Sequence, residues 1–180
     1  MNTLVIGLGN PILSDDGVGI YAARAVRRLL PPDADADVVE LAVGGLELME
    51  AMIGYERAII IDALWQPDLD AGQVVQFTAG DLPETMNSAN AHNADLPTAL
   101  RAGRELGAAL PASDQIEIVA VTARQVLAFA DAPTPPVLAA IPEAVAVVLG
   151  LLGHPAEADP ALAEALDQLQ PLVGGYDDFT

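Results

Sequence analysis

The sequence predicts an α/β protein: a three-layer α/β/α domain built around a mixed, mostly parallel five-stranded sheet. Three observations carry that prediction. Short, continuously apolar runs such as Thr3-Leu4-Val5-Ile6 and Ala58-Ile59-Ile60-Ile61 read as strands buried on both faces, as parallel strands are. Helical periodicity appears between such runs, as in Val18, Ala22, Val26 and Leu29. Strands and helices then alternate along the chain, with no internal repeat and no linker.

The elements follow in order. Residues 3–7 form the first strand, and the glycine-rich turn GLGNPILSDDGVG (7–19) leads from it into a helix that ends before Pro31-Pro32. Arg24, Arg27 and Arg28 fall on the other faces of that helix. Residues 37–41 (DVVEL) are a second strand, and Gly44-Gly45 turns the chain into a short helix from Leu46 to about Ile53. Residues 58–61 continue into Asp62 as a third, central strand that ends there. Gly72 precedes a fourth strand, residues 73–78, whose alternation is weaker.

Residues 79–93 (AGDLPETMNSANAHN) are polar and aperiodic and read as a long loop, a type of segment that often carries function. A helix from about Leu96 to Leu110 follows, with Leu96, Leu100, Leu106 and Leu110 toward the core. Residues 116–121 (IEIVAV) are the fifth strand. The segment DAPTPP (131–136) is a turn, and Pro136 takes the first position of a helix running to about Leu152. Residues 1–152 thus make one α/β domain. Residues 153–180 are expected to be a partly flexible C-terminal extension, with one helix over 160–169 and a frayed acidic end.

Composition limits what such a domain can do. At 180 residues, 52% hydrophobic and 18% charged, the chain is long and apolar enough to fold around a real core. All seven basic residues are arginines, set against 26 acids for a formal charge of −19. That surface repels nucleic-acid phosphates and anionic membranes, so neither is an expected partner. Without cysteine there is no disulfide, thiolate metal site or thiol nucleophile, and without lysine there is no P-loop or Schiff base. The N-terminus lacks a basic leader, and no stretch approaches the roughly 20 apolar residues of a membrane span. A soluble, cytoplasmic, monomeric protein is the expectation.

In sheets of this kind ligands bind beyond the carboxyl ends of the strands. Two acids fall there: Asp16 in the loop leaving the first strand, and Asp62 after the buried aliphatics of the third. Adjacent strands lie about 4.8 Å apart, so carboxylates from neighbouring strand ends can converge. A carboxylate placed as Asp62 is needs a donor, a cation or a proton. The competing explanations are local: Asp62 could cap the following turn, and Ser14-Asp15-Asp16-Gly17 has the composition of a helix N-cap. One of Asp15 and Asp16 could cap while the other points into the crevice.

Of the two histidines, His92 lies in the polar loop within AHNADLP, and His154 follows a glycine in the C-terminal segment and reads as a surface residue. One histidine with two carboxylates makes an oxygen and nitrogen set for a borderline divalent metal with open positions. No G-x-S-x-G elbow exists, and Ser14, Ser88 and Ser113 lack a triad context. The third glycine of a dinucleotide fingerprint falls at Ile12, so no organic cofactor is expected.

Taken together, these residues resemble the endopeptidases that mature nickel-iron hydrogenases. That family opens with a strand and a loop of the form G-x-G-N followed by D-[DE]-x-x-G, matched by Gly7-Leu8-Gly9-Asn10 and Asp15-Asp16-Gly17-Val18-Gly19. Its third strand ends in a string like Ile60-Ile61-Asp62-Ala63, and its histidine lies in a string like His92-Asn93 before a leucine and a helix. The resemblance spans roughly residues 3–152. It implies a phosphorylase/hydrolase-like fold and an aspartic-type or metal-dependent peptidase. Asp16, Asp62 and His92 would be its metal ligands, and Asp16 and Asp62 its catalytic residues. It also implies a substrate, the hydrogenase large-subunit precursor, which brings its own nickel and loses a C-terminal peptide. Zinc or cadmium could stand in for that nickel in vitro.

The chain departs from the family pattern twice. After the second strand it reads Glu40-Leu41-Ala42-Val43-Gly44-Gly45, which keeps the glycine pair and loses the polar residues. After the fifth it reads Thr122-Ala123-Arg124-Gln125 in place of an early proline.

Three rivals stand beside this reading. Peptidyl-tRNA hydrolases also begin with a string like VIGLGNP, but they place a histidine-asparagine string where this chain has Asp15-Asp16-Gly17, and they need a basic face. A non-catalytic metal-binding or chaperone module for the same precursor would carry the same ligands. The third is an α/β domain whose acids only cap turns.

Overall fold

β1 (Thr3–Leu8) is buried along its whole length, which its unbroken apolar sequence requires of a strand with neighbours on both edges and helices on both faces. The computed structural model describes residues 2–42, 44–66, 68–82, 96–155 and 160–167. The other elements are α1 (Val18–Leu29), β2 (Ala36–Leu41), α2 (Leu46–Ala51), β3 (Arg57–Trp65), β4 (Val74–Thr78), α3 (Leu96–Glu105), β5 (Ile116–Ala123), α4 (Pro135–Ala139), α5 (Ile141–Leu151) and α6 (Pro160–Asp167). The sheet order is β2-β1-β3-β5-β4; every pairing is parallel except that of β4 with β5. The mixed, mostly parallel five-stranded sheet is therefore as expected, with β3 at its centre.

Side-chain alternation along the strands sorts the core into two layers. Val5, Ile59, Ile61, Val119 and Val121 face α1, α4 and α5. Leu4, Ile6, Leu8, Ile60 and Ile118 face α2 and α3. Because α1 follows β1 on one face and α2 follows β2 on the other, the chain leaves β1 in one direction and returns to β3 from the other. The gap between the carboxyl ends of β1 and β3 is thus the topological switch point of the sheet.

Three expectations need correction. The third strand does not end at Asp62: it continues to Trp65, with Asp62, Ala63, Leu64 and Trp65 laddered to Ala120, Val121, Thr122 and Ala123 of β5. The fifth strand is long enough to pair with them, so the ladder runs past the aliphatic run. Next, α3 stops at Glu105 and not near Leu110, because Gly107 adopts φ 83°, a left-handed conformation that ends helices; Leu106 is left exposed. Last, the helix expected from Pro136 to Leu152 is two helices broken at Ala140. Pro142 has no N–H to continue the ladder, and Pro135 rather than Pro136 is the first helical residue. Among the described residues no helix is long and apolar enough to cross a membrane. The expected loop falls partly, and the acidic end wholly, outside the described residues; residues 79–81 form a single 3-10 turn.

Candidate active site

The β1–β3 ladder closes with Gly7 opposite Ile61, so Asp62 is the next residue along β3. It stands at the switch point while still paired with Ala120 of β5. Ile60 faces the α2 and α3 layer, and Asp62, two residues on, turns the same way. Its carboxylate is 1% exposed, and Oδ1 accepts the N–H of Ala63 at 2.8 Å.

Asp16 reaches the same junction from the loop after β1. Leu13 donates its N–H to the Asn10 carbonyl at 3.0 Å, and Asp16 donates its own to the Leu13 carbonyl at 2.8 Å. The Asp16 side chain, 7% exposed, folds back so that Oδ2 accepts the Asn10 N–H at 2.8 Å. Two glycines make this wrap possible. Gly9 adopts φ 134°, and a β-carbon there would overlap the Asp16 carbonyl. A β-carbon at Gly19 would overlap the carbonyls of both Leu8 and Ile61, so the first turn of α1 sits directly on the backbone that ends the β1–β3 ladder. Ser14, with φ 29°, is the one non-glycine residue with positive φ among those described, and it immediately precedes the two acids.

Neither acid of the pair stands at an N-cap position: those are Leu13 for the 3-10 turn at Ser14–Gly17 and Gly17 for α1, and neither makes a side-chain cap bond. Asp15 turns the other way from Asp16 and is fully buried. Its Oδ1 accepts the N–H and the hydroxyl of Thr134, both at 2.7 Å. Its Oδ2 accepts the N–H groups of Gln125 at 3.0 Å and Arg124 at 3.3 Å. Asp15 therefore ties the Asp16 loop to the segment after β5 and to the start of α4. Sequence reading missed Thr134, Arg124 and Gln125 as partners. The one available signal was Thr134-Pro135-Pro136: two prolines without N–H groups leave a helix-start threonine little to cap.

Asp16 and Asp62 are thus brought to one junction, each buried and each already accepting one backbone donor. Two such carboxylates offer hard oxygen ligands or a general base. His92 lies outside the described residues. Among the described residues no three His, Cys, Asp or Glu side chains gather closely enough to hold a metal. His154, half-buried after α5, donates its backbone N–H to Leu149 and belongs to that helix end.

The comparisons with known proteins agree with one another. A family model described as hydrogenase maturation protease matches residues 20–151, a stretch holding Asp62 and His92 and starting just after the Asp16 loop. The hydrogenase 2 maturation protease of Escherichia coli K12 is 28% identical over 109 residues, 59% of this chain and 66% of that protein. The aligned part therefore spans just under two thirds of that relative. The structure of the hydrogenase maturating endopeptidase HybD from Escherichia coli matches with a TM-score of 0.69 at 26% identity, covering 85% of this chain and 93% of that one. The [NiFe] hydrogenase maturation protease HybD from Thermococcus kodakarensis matches with a TM-score of 0.66 at 26% identity, covering 84% and 99%.

Proposed function

This chain belongs to the hydrogenase maturation protease family, and we propose that it is the endopeptidase that removes the C-terminal extension of a nickel-loaded hydrogenase large-subunit precursor. The observation that carries the proposal is the placement of two buried carboxylates, Asp16 and Asp62, on either side of one strand junction. In this reading the nickel belongs to the substrate. Asp16, Asp62 and His92 engage it when the precursor docks, which couples binding to prior metal insertion. Either carboxylate is then placed to take a proton from the attacking water. The enzyme works in the cytoplasm as a monomer and holds no organic cofactor.

The test is mass spectrometry of the precursor before and after incubation. Wild-type protein is expected to shorten the nickel-loaded precursor and to leave the nickel-free one intact. Asp16→Asn and Asp62→Asn are expected to leave both uncut while their circular dichroism matches wild type. Full cleavage by both variants would sink the ligand assignment, and a precursor that is bound but never cut by wild type would identify a metal-sensing chaperone instead.

A further inference from the structure

Eight large apolar side chains are exposed among the described residues. Six of them, Ile12, Leu46, Trp65, Leu69, Leu127 and Phe129, stand on or beside the connections at the carboxyl end of the parallel strands. Ile53 and Leu106 stand at the other end. Single exposed apolar residues are ordinary; what sets these apart is that six of the eight lie at the end that carries Asp16 and Asp62.

Three of the six share one built feature. The segment after β5 is stitched to the Asp16 loop twice: Asp15 and Gln125 exchange backbone and carboxylate bonds, and Ala130 donates its N–H to the Ile12 carbonyl at 3.3 Å. Between the stitches Val126 packs inward on the α1 and α5 layer. Leu127 and Phe129 stay 83% and 82% exposed, and Ile12 on the facing strand of the loop is 58% exposed. Backbone bonds and an inward anchor thus hold three apolar side chains outward, four residues before Asp16 in the case of Ile12.

We propose that this ridge of Ile12, Leu127 and Phe129 is the docking surface for the precursor, gripping an apolar segment of its polypeptide next to the bond to be cut. The proposal rests on the protease reading above. A protease whose substrate is a folded protein needs binding contacts remote from the scissile bond to hold that bond in place. The ridge is continuous with the loop that carries Asp16, so a chain lying on it is delivered to the strand junction. The formal charge of −19 makes the gripped segment apolar with neutral or basic neighbours, since an acidic one would be repelled.

The experiment compares wild type with the double variant Leu127→Ser/Phe129→Ser, whose positions are exposed enough for the fold to tolerate the change. Its substrate is the nickel-loaded hydrogenase large-subunit precursor of the same organism. KM is expected to rise about tenfold or more with kcat and the melting temperature unchanged. Binding is read separately on an Asp16→Asn background, where the same double change is expected to weaken precursor affinity to the same degree. Unchanged binding overturns the ridge whether or not wild type cleaves. Ridge-dependent binding without any cleavage by wild type upholds the ridge and removes the protease reading alone. A dimer in analytical ultracentrifugation that the two serines abolish, with precursor binding unaffected, would assign the ridge to self-association and overturn the proposal.

Discussion

The Asp15 carboxylate receives both the backbone N–H and the hydroxyl of Thr134 at 2.7 Å, across 119 residues of sequence. Its other oxygen takes the N–H groups of Arg124 and Gln125, so each end of the carboxylate must accept. An amide has only one oxygen. Asp15→Asn keeps the shape but must turn an NH2 group toward donors at one end, so it is expected to be nearly as damaging as Asp15→Ala. Each should cost about 3 kcal/mol in urea unfolding, whereas Thr134→Val, which removes only the hydroxyl, should cost about 1 kcal/mol. An Asp15→Asn variant as stable as wild type would show that the carboxylate is not the tie.

Glycine packing gives a second prediction with an internal control. Gly9→Ala adds a β-carbon into the Asp16 carbonyl, and Gly19→Ala adds one into the carbonyls of Leu8 and Ile61. Each should lose about 2–3 kcal/mol, and precursor cleavage should be abolished at temperatures where the protein remains folded, because the Asp16 loop has shifted. Gly54 also has a positive φ, 87°, but nothing lies within 4 Å of its added β-carbon. Gly54→Ala should therefore cost only the backbone strain, about 1 kcal/mol, and leave cleavage intact. A Gly9→Ala loss no larger than that of Gly54→Ala would mean that strain and not contact governs it, and a harmless Gly19→Ala, where φ is not positive, would remove the contact at α1.

How far the sequence led can be seen at these same residues. The apolar runs of β1 and β3 demanded burial on both faces, and a charge after Ile61 was visible as an anomaly wherever the strand ended. Where it ended was not visible, because that depends on how far Thr122 and Ala123 of β5 extend to pair with Leu64 and Trp65. Leu106 kept helical spacing but lost to Gly107, whose conformation overrides the pattern. The pairing of Asp15 with Thr134 left only an indirect trace, a threonine followed by two prolines, and nothing that pointed to Asp15. Two adjacent acids look equivalent in a sequence, and only the tertiary donors after β5 separate the one that ties from the one that faces the junction.

The edge of the sheet carries a pH-dependent contact. Glu40 of β2 accepts Arg24 at 2.9 and 3.1 Å and Arg27 at 2.9 Å, both from α1. Partial burial works to raise its pKa, but the two guanidinium groups outweigh it and hold the carboxyl below its usual 4.5. A lowered folded pKa means stabilisation that is complete above the unfolded value and is lost as pH falls through the folded one. The arginines are half exposed, so the contact is worth only about 0.5–1 kcal/mol. Glu40→Gln should lose that amount at pH 7 and progressively less as the pH falls below the usual 4.5 through the lowered folded value, read as the difference between denaturation curves along that range. A penalty that does not shrink on acidification would mark it as packing, not charge.

Metal affinity of the free enzyme offers a reading of the site that needs no precursor. If Asp16, Asp62 and His92 form the ligand set, zinc or cadmium should bind the folded chain and stabilise it by mass action. At a hundredfold excess over Kd that amounts to about 2.7 kcal/mol. For a domain of this size it raises the melting temperature by roughly 5–10 °C. Asp16→Asn, Asp62→Asn and His92→Ala should each flatten the response by removing one ligand. Asp70→Asn should not, because Asp70 sits at the surface beside Arg124 and belongs to no such set. A thermal shift that survives all three ligand substitutions would locate the metal elsewhere and overturn the proposed ligand set.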